Sequence, residues 1–97
     1  MTTAQLRALL RDSLTLWGVS GVVSVAEHEV RIATDAGTFA VAHADAALRP
    51  VRWFYQTPER AAAGRPPRAA PSIVALLSAL RNAMEGAGGD RLRVGGG

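Results

Sequence analysis

The chain has 97 residues, 48% hydrophobic and 20% charged, which is enough for one core, too short for two ordinary domains, and not the composition of a disordered chain. It contains no cysteine, so disulfides, zinc–thiolate sites and thiol nucleophiles are excluded together. The formal charge of +3 is mild but uneven: residues 49–71 hold five arginines against Glu59, whereas residues 1–48 hold three against five acids.

Residues 3–17 read as an amphipathic helix. Thr2 and Gln5 have capping-box spacing. Leu6, Leu9, Leu10, Leu14 and Trp17 recur at three and four residues and so share a face, and Gly18 supplies a left-handed stop. Three strands follow in the pattern. Val19–Val25 is valine-rich, and Glu29–Thr34 and Thr38–His43 alternate apolar with polar residues. Glu27-His28 suits a tight turn, and Asp35-Ala36-Gly37 suits a three-residue hairpin loop with glycine at the left-handed position.

These turns imply a register. Val25 would face Val30 and Val23 would face Ile32. Thr34 would face Thr38, Ile32 would face Ala40, Val30 would face Ala42, and Glu29 would face His43. Because side chains alternate along a strand, Val23, Val25, Val30, Ile32, Ala40 and Ala42 would then share the side covered by helices. The other side would carry Val22, Ser24, Glu29, Arg31, Phe39, Val41 and His43. It is half apolar, more than a wet surface needs.

Ala44–Ala47 suits a helical turn, and Val51–Tyr55 a short strand after Pro50. Residues 57–71, rich in proline, alanine and arginine, read as a long flexible loop. Ser72 then caps a second helix to about Glu85, with Ile73, Leu76, Leu77, Leu80 and Met84 as its apolar stripe. Gly86 would end it, and 87–97 would be a flexible Gly-rich tail. The longest strongly apolar stretch, Ser72–Leu80, is far short of the ~20 residues that span a bilayer. The first residues lack a basic start and apolar run, so a soluble, cytoplasmic protein is expected.

Enzyme signatures are missing. No glycine loop opens a helix to hold phosphate, and no serine sits in a nucleophile elbow. The only histidines are His28 and His43. Glu27-His28-Glu29 has metal-ligand chemistry, but successive residues near a strand point in alternate directions, so a solvated turn is the expectation and no metal or cofactor is assigned. The proposed Glu29–His43 neighbours form at most a modest cross-strand pair.

Segment 49–68 has the strongest chemical character. Arg49, Arg52, Arg60, Arg65 and Arg68 surround Trp53, Phe54 and Tyr55. Arginine forks match phosphate, and aromatic rings stack on unpaired bases. The same residues are favoured in protein interfaces. They also suit a plainer role, in which Val51, Trp53 and Tyr55, or Phe54, complete the core.

The expected architecture is a single α+β domain over 1–86. An antiparallel β-meander of three to four strands would be flanked by an N-terminal and a C-terminal helix. Leu6, Leu10, Leu14, Trp17, Val23, Val25, Val30, Ile32, Ile73, Leu76, Leu77 and Leu80 would form its core. The expected function is a non-enzymatic protein-interaction or accessory module, with a homodimer as one form it could take. It would bind a protein partner or itself through Val22, Arg31, Phe39, Val41 and His43 on the outer side of the sheet, because an exposed apolar patch marks a contact surface. The alternative is nucleic-acid binding through Arg49, Arg52, Trp53, Tyr55, Arg60, Arg65 and Arg68. No membrane partner is expected.

Overall fold

Thr2 opens α1 (Thr3–Trp17) with the expected capping box. Gln5 N–H donates to the Thr2 hydroxyl at 3.1 Å, and Thr2 N–H donates back to Gln5 Oε1 at 2.8 Å. Together these satisfy two of the donors that a helix start leaves free. Gly18, at φ 70°, ends the helix in the left-handed conformation. Leu6, Leu10 and Leu14, at four-residue spacing, are all buried.

The remaining elements are β1 (Gly21–Ala26), β2 (Glu29–Thr34), β3 (Gly37–His43), a 3-10 turn at Ala46–Leu48, β4 (Trp53–Gln56), α2 (Pro58–Ala62), β5 (Arg68–Ala70) and α3 (Ile73–Gly96). This computed structural model describes residues 2–48 and 50–96, the side chains of Ala46 and of residues 86–96 excepted. Arg49 lies outside the residues so described, and α3 runs on past Gly86, where the sequence pattern ends it, through the stretch expected to be a flexible tail. The five strands form one sheet in the order β1-β2-β3-β4-β5, every neighbouring pair antiparallel. The α+β meander expected from the sequence is therefore present, with one more strand.

That extra strand lies in the segment expected to be a loop. Residues 57–71 contain α2 and β5 instead. Thr57 caps α2 by accepting the Arg60 N–H at 3.2 Å, and Pro58 stands in its first turn, where the missing N–H costs nothing. Two side chains then tie the return path. Gln56 Nε2 donates to the Arg65 carbonyl at 2.7 Å, and an Arg60 terminal nitrogen donates to the Pro66 carbonyl at 3.0 Å. The chain can then lie against β4, with Ala70 opposite Trp53. The prolines that suggest a loop flank the three residues of β5, as an edge strand allows.

The first hairpin has the expected register, with Val25 opposite Val30 and Val23 opposite Ile32. The second does not. Its loop is two residues, Asp35-Ala36, and Gly37 enters β3 opposite Thr34. Ile32 therefore faces Phe39, Val30 faces Val41, and Glu29 faces Ala42, not His43. A shift of one residue exchanges the two sides of a strand. Phe39 and Val41 point to the helices and are fully buried, while Ala40 and Ala42 point away. The physical reason is at Gly37. Its φ is +124°, and a Cβ there would come within 2.6 Å of Pro58 Cβ. The glycine serves a close approach by α2 inside the strand, not a longer loop.

The core lies between one side of the sheet and the two long helices. α1 gives Leu6, Leu10 and Leu14, and α3 gives Leu76, Leu80 and Met84. The sheet gives Val23, Val30, Ile32, Phe39, Val41, Trp53 and Ala70. Each fully buried aliphatic or aromatic side chain contributes about 1.5–3 kcal/mol. Trp17, Ile73 and Leu77 pack at the margin, and Val25, expected inside, is 47% exposed at the sheet edge. Phe39, Val41 and Trp53 were needed to fill the middle.

Candidate functional site

Two surfaces follow from this packing. The first is the outer side of the sheet, opposite α1 and α3. By alternation it carries Val22 and Ser24 of β1, Glu29, Arg31 and Ala33 of β2, Thr38, Ala40 and Ala42 of β3, Phe54 of β4 and Ala69 of β5. Val22 is 69% exposed. Arg31 is exposed, and its Nε holds Glu29 Oε1 at 2.6 Å. That ion pair is worth little in water, but it neutralises the one arginine among small and apolar side chains.

Of the five residues expected to bind a partner, Val22 and Arg31 stand on this side. Phe39 and Val41 do not, because the register of β3 turns them into the core. His43 is exposed but belongs to the helix side, where its ring lies 4.3 Å from that of Trp53. Ala40, Ala42 and Phe54 take the vacated places on the outer side. The two alanines lie there because the loop of the second hairpin is one residue shorter than the sequence suggests, and Phe54 because β4 sets it opposite Ala42.

The second surface is a cleft of about 680 Å³ between β4, α2, β5 and α3. Arg60, Arg65 and Arg68 line it with Tyr55, Glu59 and Asn82. Tyr55 and Arg68 are cross-strand partners, which sets both on the side facing α3. Arg60 Nε is buried and has no hydrogen-bond partner, although the same side chain reaches Pro66. Among the described residues Glu59 makes no ion pair, so the cleft keeps three guanidinium groups against one carboxylate.

The segment 49–68 is thus divided. Trp53 completes the core at 5% exposure, Tyr55, Arg60, Arg65 and Arg68 share the cleft, and Arg52 is exposed just before β4. Asn82 joins the cleft from α3, and nothing in the sequence pattern pointed to it. Its polar position on the helix fits any solvated flank.

No protein family, curated protein or solved structure matches this chain. Among the described residues no three histidine, aspartate or glutamate side chains gather as a metal site would require. Nor is any described helix long and apolar enough to cross a membrane.

Proposed function

We propose that this is a small non-enzymatic interaction module that binds a protein partner through the outer side of its sheet. The observation behind this reading is the one-sided packing. Both long helices cover the same side, and the other presents Val22, Ala33, Ala40, Ala42 and Phe54 around a neutralised ion pair. Water gains by release from such a surface when it is covered. Small side chains also let a partner approach the strands closely.

The test is capture from an extract of the native host, comparing the wild type with Ala40→Glu. Ala40 points away from the core, so the variant should retain its circular dichroism and melting temperature. Loss of a captured protein with Ala40→Glu supports the reading. Equal capture by both proteins, or capture by neither, refutes it.

A second reading is nucleic-acid binding, favoured by the convergence of Arg60, Arg65 and Arg68 beside Tyr55. Phosphate contacts lose affinity steeply with salt, so titration with single-stranded RNA and DNA at rising ionic strength decides it. Absence of binding at low salt eliminates this reading.

A further inference from the structure

The two edges of the sheet are built differently. β5 is three residues long, begins with Arg68, and is bracketed by Pro66, Pro67 and Pro71. Short length, charge and flanking proline are the means by which proteins close an edge to further strands. β1 is six residues long, Gly-Val-Val-Ser-Val-Ala, with no proline and no charge. All six pair with β2 on one side. No backbone hydrogen bond of β1 outside that ladder is formed among the described residues.

The direction of its free groups follows from the turn. A two-residue turn makes Ala26 and Glu29 a hydrogen-bonded pair, so by alternation Val25, Val23 and Gly21 aim their N–H and C=O groups outward.

Beside this edge lies a cleft of about 880 Å³ between β1 and α1. Arg7 and Arg11 line it with Asp12, above Gly21, Val22 and Val23. Among the described residues neither arginine makes an ion pair. A strand added to β1 would direct every second side chain into this cleft. Arg7 and Arg11 are one helical turn apart, a rise of about 6 Å. Side chains two residues apart on an extended segment are separated by about 6.6 Å. Acidic residues at i and i+2 therefore match the two guanidinium groups. A second copy of β1 would instead bring a second Arg7 and Arg11 to the same seam, where like charges oppose pairing.

We propose that the β1 edge receives an extended segment of another protein, added as a sixth strand, with acidic residues at alternate positions facing Arg7 and Arg11. Main-chain hydrogen bonds supply affinity in such strand addition, and the alternate side chains supply selectivity. The proposal rests on the reading of the protein as an interaction module, but it uses a different surface from the outer side of the sheet.

The probe is a fluorescein-labelled hexapeptide of alternating valine and glutamate, followed by anisotropy at low salt. Binding should weaken about tenfold or more when lysine replaces glutamate, and Arg7→Glu with Arg11→Glu should reverse that preference. N-methylation of alternate peptide bonds should abolish binding, because it removes donors to the strand edge. No binding of the glutamate peptide, equal binding of both peptides, or no effect of N-methylation each overturns the proposal. So does light scattering that shows a dimer at every dilution with β1 amides protected from exchange, since a second copy would then occupy the edge. If the peptide fails while Ala40→Glu still abolishes capture, the outer-side reading stands alone.

Discussion

The two turns of the meander are both two residues long, yet they use left-handed backbone in opposite ways. In the first, Glu27 itself has φ 50°, a value that usually calls for glycine. In the second, Asp35 and Ala36 need no positive φ, and the glycine stands one residue later, inside β3. The Thr34 hydroxyl secures that second turn. It donates to the Gly37 carbonyl at 2.9 Å and accepts the Ala36 N–H at 3.2 Å. A glycine after a turn can therefore report a neighbour pressing on the strand as readily as the shape of the turn itself.

The largest test of this contrast exchanges the sides of β3. Phe39→Ala should destabilise the protein by about 3–5 kcal/mol in urea unfolding, the usual cost for a buried aromatic. Ala40→Phe should change stability by less than about 1 kcal/mol, since it adds a ring on the outer side. Similar losses for both would break the register. Next in size, Gly37→Ala should cost about 1–3 kcal/mol, because both its φ and its contact with Pro58 resist a Cβ. Pairing it with Pro58→Gly should recover part of that loss in a double-mutant cycle, whereas strict additivity would remove the contact as a cause. The smallest effect is a gain. Glu27→Gly should stabilise by about 0.5–1 kcal/mol through relief of positive φ, and a loss instead would show that the Glu27 side chain has a role in the turn.

Much of this fold is legible in the residues. The Thr2–Gln5 box, the spacing of Leu6, Leu10 and Leu14, the Glu27-His28 turn and the cap at Ser72 are all local signals, and local hydrogen bonds satisfy them. What escaped is set by contacts that no single turn or strand contains. Gly37 is fixed by Pro58, which lies 21 residues on, and β5 exists because Gln56 and Arg60 hold the returning chain. The start signals of α2, Thr57 and Pro58, were present but hidden among the alanine and proline of a loop-like composition.

The candidate site divided in the same manner. Arginine enrichment in 49–68 marked the basic cleft, but only the pairing of Tyr55 with Arg68 shows which of those residues converge. Phe39 and Val41 were placed outside by a one-residue error that no composition could correct. The openness of β1 was present in its uncharged sequence, yet it acquires meaning only beside the prolines of the opposite edge.

The meander has a consequence for how the chain matures. Every strand lies beside its neighbour in sequence, so hairpins can zip as they leave the ribosome without long searches. The closing step is different, because Leu76, Leu80 and Met84 come from the last third of the sequence. Until they arrive, the nascent sheet keeps Trp53 and its neighbours wet, which makes that interval the one in which aggregation competes with folding.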